Sequence, residues 1–342
     1  MNGTGDEKGR PIGIGLIGTG KISRQFAAAV RATPGVLPQL VYSREEKTGR
    51  LFAEECGVAD FTASREGFLS DPRVDAVYIA SPNVVHFRQA LDALQAGKHV
   101  LCEKPLTTDE ARFSILANEA RSRGLVLMEG MRILHDPVFS LIRKTLTRLG
   151  KIERADFIYC QYSSRYDSFK AGTVLNAFDP LLSNAAVMDI GVYPVALDAA
   201  LFGVGEVVSA ASTFLHNGFE GAGKAVLDHG GFQSTLTWSK IADSTSPTVI
   251  AGENGTLMID RLSGTTRVDF GANGEAAGRL ETLPYVPVEN NMVFEAADLR
   301  DAIRGELDPE PFLEISRRTV LTLDAIRRAA GISFCSDCDP VV

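Results

Sequence analysis

The stretch Ile12-Gly-Ile-Gly-Leu-Ile17-Gly18-Thr19-Gly20-Lys21-Ile22-Ser23 decides the fold of the first part of this chain. Its apolar start predicts a buried strand, and the helical pattern from Lys21 to Ala32 follows the glycines. The first glycine allows a tight turn, the second lets backbone approach a pyrophosphate, and Ser23 is small enough for close helix–sheet packing. A pyrophosphate would then lie at the positive end of the helix. The stretch therefore predicts a dinucleotide site that includes Gly18, Thr19, Gly20, Lys21 and Ile22.

The rest of the first third repeats the alternation of strand and helix. Predicted strands are 39–42, 75–80, 99–102 and 125–128, and predicted helices are 45–56, 83–96 and 109–123. Asn83 is the expected N-cap of one helix and Gly97 its C-terminal stop, and Thr108 or Asp109 is the expected cap of another. Apolar strands that alternate with helices predict a parallel sheet covered on both faces, which is a doubly wound, nucleotide-binding α/β architecture.

The pattern changes after about residue 135. Successive segments with strand character predict a largely antiparallel sheet, at 155–162, 207–214, 232–238, 248–250, 256–259 and 267–270. Helices are predicted at 185–201, 292–304 and 312–330. We therefore expect a tail at 1–11, a Rossmann domain at 12–133, a substrate-binding and oligomerisation domain at 134–334, and a tail at 335–342.

Composition limits the class of protein. The chain has 342 residues, of which 45% are hydrophobic, and that is enough for two moderate cores. The net charge of −8 argues against nucleic acid or an anionic membrane as a partner. There is no apolar run of the roughly 20 residues that a membrane span needs, and no apolar signal core near the start.

The five cysteines and five histidines suggest neither a disulfide framework nor a metal site. The cysteines are scattered and odd in number, which is typical of free thiols in the cytoplasm. Cys335-Ser-Asp-Cys338 is a lone C-x-x-C in the C-terminal tail, and we interpret it as a surface feature. The histidines form no cluster with ligand spacing, so we expect no metal.

Ser43 and Arg44 follow the second predicted strand, where an NAD enzyme usually places a carboxylate for the ribose 2′-hydroxyl. A serine and a guanidinium instead suit a 2′-phosphate. The sequence therefore favours NADP over NAD, although NAD stays possible. The alternative is that Arg44 is a solvated loop residue.

Two further strand ends carry polar residues that would face the binding crevice of such a sheet. Ser81, Pro82 and Asn83 follow one strand, and His86 lies one helical turn later. His86 either faces the cofactor or is a packed, capping residue. Glu103 and Lys104 follow the next strand, and both are expected in the crevice.

Asp189 and Tyr193 lie four residues apart in a helical pattern, so they are expected on one face, with Gly191 leaving room for close approach. A tyrosine acid needs a neighbour that favours its phenolate, and a lysine such as Lys104 can supply that effect and hold a substrate oxygen. Without the lysine, a buried structural tyrosine would be the simpler interpretation.

The run Tyr78-Ile-Ala-Ser-Pro-Asn83-x-x-His86, continued by Ala96-Gly-Lys-His-Val-Leu-Cys-Glu-Lys-Pro105, resembles the Gfo/Idh/MocA oxidoreductases. The resemblance covers about residues 12 to 330. It implies a Rossmann domain followed by an α/β domain with an open, mostly antiparallel sheet, and it makes Lys104 the lysine of the E-K-P motif. Many members have aspartate and histidine four apart where this chain has Asp189 and Tyr193, so the chain is most similar to the branch with tyrosine as acid/base.

The resemblance implies further site residues and partners. The segment Met128-Glu-Gly-Met-Arg132 resembles the family's E-A-x-x-x-R region, so Arg132 is a candidate substrate contact, and Tyr166 is added as a second candidate. Asn184-Ala185-Ala186 replaces the glycines that often precede the aspartate, which leaves the shape of the substrate pocket open. A homodimer formed through the face of the second sheet is implied as well.

These residues together predict an NADP-dependent oxidoreductase that acts on a sugar, sugar derivative, polyol or diol. Tyr193 would act as acid/base, Lys104 would orient the oxygen, and Asp189 would bind another hydroxyl or position the tyrosine. Two alternatives stay open: a non-catalytic NADP-binding sensor, and an enzyme that keeps its cofactor bound while it converts two substrates.

Overall fold

The computed structural model describes residues 9 to 274 and 279 to 334, and it contains two β-sheets with helices packed on them. Most of the N-terminal tail and the Cys335/Cys338 pair lie outside these residues. The strands are Ile12–Ile17 (β1), Val36–Tyr42 (β2), Asp60–Thr62 (β3), Ala76–Ile79 (β4), His99–Glu103 (β5), Leu127–Gly130 (β6), Ile152–Cys160 (β7), Glu206–Phe214 (β8), Glu220–Asp228 (β9), Gln233–Ser239 (β10), Thr248–Gly252 (β11), Gly255–Ile259 (β12), Val268–Ala272 (β13) and Glu281–Thr282 (β14).

The α-helices alternate with the strands in the first half and cluster between and after them in the second. They are Lys21–Ala32 (α1), Glu46–Cys56 (α2), Arg65–Ser70 (α3), Asn83–Gln95 (α4), Glu110–Arg123 (α5), Arg132–His135 (α6), Pro137–Leu146 (α7), Tyr166–Lys170 (α8), Val192–Phe202 (α9), Met292–Ile303 (α10) and Glu310–Ala330 (α11). No helix in the described part of the chain is long and apolar enough to cross a membrane.

The first sheet confirms the predicted Rossmann architecture. Its strand order is β3-β2-β1-β4-β5-β6, and every neighbouring pair is parallel. Strands β1 and β4 are buried along their whole length, as their apolar sequences predict for a sheet that is covered on both faces. The order reverses between β1 and β4, and a crevice for a ligand is expected at the carboxyl ends of these strands.

The second sheet is mostly antiparallel, as predicted, with the order β14-β13-β12-β11-β7-β10-β9-β8. One pair in it is parallel: β7 and β10 run side by side, with Cys160 opposite Ser239. Their carboxyl ends therefore lie at the same edge of the sheet. Strand β9 was not predicted, because its sequence Glu-Gly-Ala-Gly-Lys-Ala-Val-Leu-Asp contains two glycines and weak alternation.

One local prediction was wrong, and another was incomplete. Asn83 is the first residue of α4 rather than its N-cap, because Pro82 occupies the cap position with φ −62° and ψ 145°. The helix predicted at 185–201 begins instead with a π-helical turn, Val187–Gly191, before α9 starts. For helix α5, the sequence left Thr108 or Asp109 open as the N-cap. The N-cap is Asp109, whose carboxylate accepts a hydrogen bond from the backbone N–H of Arg112 at 2.9 Å.

The last two helices connect the two sheets. Helix α10 packs on α1, and its residues Met292, Ala296 and Leu299 belong to the apolar core beneath the first sheet. Helix α11 contacts α5 and β6 of the first half of the chain as well as α9 and β8 of the second. The chain thus returns to the first sheet after it has formed the second, and the proposed boundary near residue 133 stays a prediction.

Candidate active site

A cavity of about 680 Å³ lies where the carboxyl ends of β1, β4 and β5 face the edge of the second sheet. Its walls bring together most of the residues that the sequence pointed to. The predicted residues that line it are Lys21, Ile22, Ser81, Asn83, His86, Glu103, Lys104, Arg132, Asp189 and Tyr193. Lys240 and the residues 161–165 also line the cavity and were not predicted.

The glycine turn at the carboxyl end of β1 fits a pyrophosphate. Gly18 has φ 106°, and a Cβ there would lie 2.4 Å from the carbonyl oxygen of Ala80, so only glycine fits. Gly20 is the N-cap of α1 and provides no side-chain cap, and a Cβ built on it would have no neighbour within 4 Å. Thr19 lies between them. The first N–H groups of α1 are therefore open to an anion, which suits the phosphates of a dinucleotide.

Ser43 and Arg44 lie beyond the carboxyl end of β2 and outside the cavity. The Ser43 hydroxyl donates a hydrogen bond to the carbonyl oxygen of Glu45 at 3.0 Å, and Arg44 is exposed. No ion pair of Arg44 is formed within the described residues. Its guanidinium is accessible at the strand end where the adenosine ribose of a dinucleotide is expected.

The loop after β4 is tied to neighbouring segments. Both ring nitrogens of the buried His86 approach carbonyl oxygens, that of Pro105 at 2.9 Å and that of Ser81 at 2.8 Å. Burial lowers the pKa of His86, although these two carbonyls oppose the shift. The sequence left open whether His86 faces the cofactor or is a packed residue. The geometry favours a packed residue that joins the loops after β4 and β5. The Asn83 amide donates to the carbonyl oxygen of Ser183 at 3.2 Å and connects α4 to the second half of the chain.

Glu103 is buried at the end of β5 and accepts a hydrogen bond from the Tyr78 hydroxyl at 2.7 Å. Burial raises the pKa of Tyr78 further above its ordinary value, and the nearby Glu103 carboxylate adds to this effect. The hydrogen bond from Tyr78 holds Glu103, which lines the cavity immediately before Lys104.

Lys104 and Asp189 are in direct contact, although 85 residues separate them. The Lys104 ammonium donates to the carbonyl oxygen of Asp189 at 2.5 Å and to its carboxylate Oδ1 at 2.9 Å. Burial would lower the pKa of Lys104, but the charges of Asp189, Tyr193 and Glu103 raise it above its ordinary value. Lys104 is therefore a fixed cation, and two of its three N–H donors are used by Asp189.

Tyr193 lies in the first turn of α9, beside Lys104. The Lys104 Nζ is 5.0 Å from the centroid of the Tyr193 ring, and Tyr159 meets that ring edge to face at 5.2 Å. Burial, followed by the influence of Tyr193, raises the pKa of Tyr159 to about 12, which disfavours Tyr159 as a proton donor near neutral pH. The structure thus brings the predicted lysine, aspartate and tyrosine to one wall of the cavity.

Arg132 reaches the same cavity from α6. One of its terminal nitrogens lies 3.0 Å from the side-chain oxygen of Gln25 in α1 and 3.0 Å from the sulfur of Met292 in α10. Burial lowers the pKa of Arg132, but the nearby Tyr193 and Glu295 outweigh this and raise it. Arg132 is thus a second cation close to Tyr193.

Lys240 was missed in the sequence. Its side chain is only 2% exposed, and its ammonium lies 2.7 Å from Asp189 Oδ2. Asp189 therefore pairs with a lysine through each carboxylate oxygen. Burial would raise the pKa of Asp189, but the charges of Lys104 and Lys240 lower it far below its ordinary value. Lys240 directly follows β10, and only the parallel pairing with β7 would have indicated that it lies at the cavity.

The outer wall consists of the segment after β7, which was also missed. It is polar and is formed by Gln161, Tyr162, Ser163, Ser164 and Arg165. Tyr166, the second candidate substrate contact, does not reach the cavity. Its ring stacks on Phe178 at 5.5 Å and on Phe169 at 6.1 Å in a separate aromatic cluster.

Known proteins resemble the chain over nearly its full length. The family model described as "Oxidoreductase family, NAD-binding Rossmann fold" matches residues 12–131. The scyllo-inositol 2-dehydrogenase (NADP(+)) IolU of Bacillus subtilis is 37% identical over 95% of this chain and 99% of its own. The trans-1,2-dihydrobenzene-1,2-diol dehydrogenase of Mus musculus is 26% identical over 94% and 98%.

A solved structure gives the same picture. KijD10, a 3-ketoreductase from Actinomadura kijaniata in complex with NADP and TDP-benzene, superposes with a TM-score of 0.82 at 28% identity, covering 94% of this chain and 98% of that one. The agreement of motif, fold and full-length similarity has one consequence: the chain belongs to the Gfo/Idh/MocA family of NAD(P)-dependent oxidoreductases.

Proposed function

We propose that this protein is an NADP-dependent dehydrogenase or reductase of a polyol, sugar or sugar derivative, with Tyr193 as the acid/base and Lys104 assisting it. The observation that carries the proposal is the position of the Lys104 ammonium, 5.0 Å from the centroid of the Tyr193 ring, at the wall of the cavity that the strand ends form. A fixed cation beside a phenol favours the phenolate and any developing alkoxide.

Each of these residues has a task that follows from its contacts. The bound dinucleotide would supply or accept the hydride. Tyr193 would take the hydroxyl proton of an alcohol, or donate a proton to a carbonyl oxygen. Lys104 keeps one N–H donor for the substrate oxygen after its two bonds to Asp189. Both Asp189 oxygens are paired with lysines, so its main task would be to position Lys104.

Ser43 and the exposed Arg44 support NADP as the cofactor, because their side chains suit a 2′-phosphate better than a carboxylate would. Relatives point the same way: the name of IolU specifies NADP(+), and KijD10 was solved with NADP.

The polar outer wall supports a hydroxyl-rich substrate. Amide, hydroxyl and guanidinium groups of Gln161, Ser163, Ser164 and Arg165 line the cavity. Such groups match a cyclic polyol or a sugar more closely than an apolar ketone. The names of IolU and of the mouse enzyme refer to an inositol and to a cyclic diol.

The direct experiment is a screen of the purified protein with NADP⁺ and NAD⁺ against inositols, aldoses, anhydrosugars and cyclic diols, followed by nicotinamide absorbance. We expect turnover with at least one cyclic polyol or sugar, and a higher kcat/KM with NADP⁺. Tight NADP binding without an absorbance change for any compound would contradict the proposal and favour a sensor. Cofactor that co-purifies with the protein would instead point to the two-substrate cycle.

We also infer a homodimer. The outer strand β8 carries the exposed side chains of Val208 (56% exposed) and Phe214 (46% exposed), which a partner could cover. Light scattering of the purified protein tests this inference, and a monomer at micromolar concentration would contradict it.

A further inference from the structure

Lys240 has an unusual environment for a lysine. Its ammonium donates to the carbonyl oxygen of Ala177 at 2.7 Å and pairs with Asp189 Oδ2 at 2.7 Å. The rings of Phe178 and Phe219 lie on its other sides, with centroids 5.0 and 5.3 Å from Nζ. A buried charge needs such partners, because an unpaired ammonium would lose its hydration without compensation.

The backbone of Lys240 is fixed as firmly as its side chain. Its N–H donates to the carbonyl oxygen of Gly221 at 2.9 Å, and its own carbonyl oxygen accepts from the N–H of Ser163 at 2.9 Å. Since Ser163 belongs to the outer wall of the cavity, one residue connects that wall, the aromatic cluster and the carboxylate of Asp189. Little freedom remains for the ammonium to move away from Asp189.

The three charges of this arrangement do not cancel. Lys104 and Lys240 contribute one positive charge each and Asp189 one negative charge, so the group as a whole carries a net charge of +1. If Lys240 were neutral, the Asp189 carboxylate would offset Lys104 completely, and little positive field would remain for the phenol beside it. Coulomb interactions over such distances are strong in a partly buried site.

We propose that Lys240 is a positioning residue that acts through Asp189: it holds the carboxylate and offsets its charge, so that the field of Lys104 acts on Tyr193 and on the substrate oxygen. Lys240 itself does not touch the phenol. The proposal rests on the proposed function, in which Tyr193 is the acid/base.

Other charged or titratable groups near Tyr193 are held by separate elements, and of these only Asp189 is substituted in the test. Lys104 extends from the end of β5, Arg132 from α6, and Tyr159 from β7, while Asp189 lies in the π-helical turn. Arg165, from the segment after β7, is close enough to influence Lys240 electrostatically. Burial lowers the pKa of Lys240, and the Asp189 carboxylate opposes this shift.

The test compares Lys240→Met, Asp189→Asn and the double variant with the wild type. Methionine keeps an unbranched stem between Phe178 and Phe219 and removes the ammonium, with its charge and its hydrogen bond to Ala177. The net charge of the group is 0 in Lys240→Met, +2 in Asp189→Asn and +1 in the double variant, the same as in the wild type. The cycle therefore separates charge from shape.

Two readouts are followed across pH. The first is kcat/KM for alcohol oxidation, and the second is the phenolate absorbance that is lost in Tyr193→Phe, which needs no substrate. We expect Lys240→Met to move both midpoints upward by about half a pH unit or more, and Asp189→Asn to move them downward. The double variant should return close to the wild-type midpoints. In Lys240→Met, kcat should fall about 10-fold with a smaller change in KM.

The proposal is overturned if Lys240→Met folds and binds NADPH normally but leaves both midpoints and kcat unchanged. It is also overturned if Lys240→Met and Asp189→Asn shift the midpoints in the same direction, because that result would indicate a loss of structure rather than of charge. A wild type without turnover on any polyol would instead contradict the proposed function, while the absorbance titration would still decide the role of Lys240.

Discussion

Gly191 lies so close to Trp238 that a Cβ on the glycine would be 2.9 Å from the indole ring. The contact places the π-helical turn directly on β10. The same indole donates a hydrogen bond to Glu220 Oε1 at 2.8 Å, and the other oxygen of Glu220 accepts from the N–H of Val187 at 2.8 Å. The turn that carries Asp189 is thus held by packing at one end and by a buried carboxylate at the other.

We expect Gly191→Ala to destabilise the protein by about 1–3 kcal/mol, because the added methyl group has no space against the indole ring. The free energy of unfolding from urea titration measures this change. Gly231→Ala is the matched control, because a Cβ at Gly231 would have no neighbour within 4 Å. Equal stability of the two variants would show that Gly191 is not tightly packed.

Lys104→Met and Tyr193→Phe should each retain NADPH binding and lose about 100-fold or more in kcat, since each removes a group that acts on the transferred proton. Steady-state kinetics with a substrate from the screen, together with NADPH fluorescence titration, measures both quantities. Tyr159→Phe is the control: it removes a neighbouring hydroxyl but leaves the phenol of Tyr193. Unchanged turnover in either main variant would remove that residue from the mechanism.

Arg44→Ala should weaken NADP binding by about 10-fold or more and leave NAD binding nearly unchanged, because only NADP carries the 2′-phosphate that the guanidinium would pair with. Titration with both cofactors gives the two dissociation constants. Lys47→Ala removes one positive charge from the neighbouring helix and controls for a general electrostatic effect. If Arg44→Ala has the same NADP affinity as the wild type, the 2′-phosphate assignment is wrong.

Glu295 is a source of pH dependence in stability. It is fully buried in α10, neither carboxylate oxygen has a hydrogen-bond partner among the described residues, and burial together with the Glu103 charge raises its pKa from 4.5 to about 8. The folded protein therefore holds a proton that the unfolded chain releases at lower pH. The stability due to this proton is complete below about pH 4 and is lost as the pH rises through about 8.

Glu295→Gln should remove this pH dependence, because glutamine cannot ionise. At each pH we take the free energy of unfolding of the variant minus that of the wild type. This difference should be more positive at pH 9 than at pH 5 by at least about 1 kcal/mol. Urea titrations at the two pH values test this. Glu306→Gln, which changes an exposed carboxylate shortly after the end of α10, should show no such gain. Parallel pH profiles for the wild type and Glu295→Gln would contradict the prediction.

The sequence was sufficient to predict five of the six strands of the first sheet, all except the short edge strand β3 (Asp60–Thr62), and to single out Lys104 and Tyr193. Local apolar patterns identify β1, β4 and β5, and a parallel sheet brings their carboxyl ends to one edge. The position of Lys104 in the crevice follows from this rule alone. The proximity of Tyr193 to Lys104 was expected from the chemistry of a tyrosine acid and from the family resemblance, because no local pattern relates residues that are so distant in the chain.

The rest of the site depends on long-range pairing that the sequence does not encode locally. Lys240 and the segment at 161–165 reach the cavity only because β7 and β10 are parallel within a mostly antiparallel sheet. The two glycines of β9 interrupt the alternating pattern by which a strand is predicted. Position 223 requires glycine, because a Cβ there would lie 2.5 Å from the Trp238 ring. Asn83 was misassigned because a proline with fixed φ can occupy the N-cap position.

The packing of α10 on α1 has a consequence for how the molecule can be divided. The apolar core of the first sheet is completed by three residues of α10: Met292, Ala296 and Leu299. These residues come more than 150 positions after the last strand of that sheet. A fragment that ends near residue 133 would expose the apolar surface that α10 covers, and it would be prone to self-association. The nucleotide-binding half can therefore be completed only after α10 (Met292–Ile303) has been synthesised.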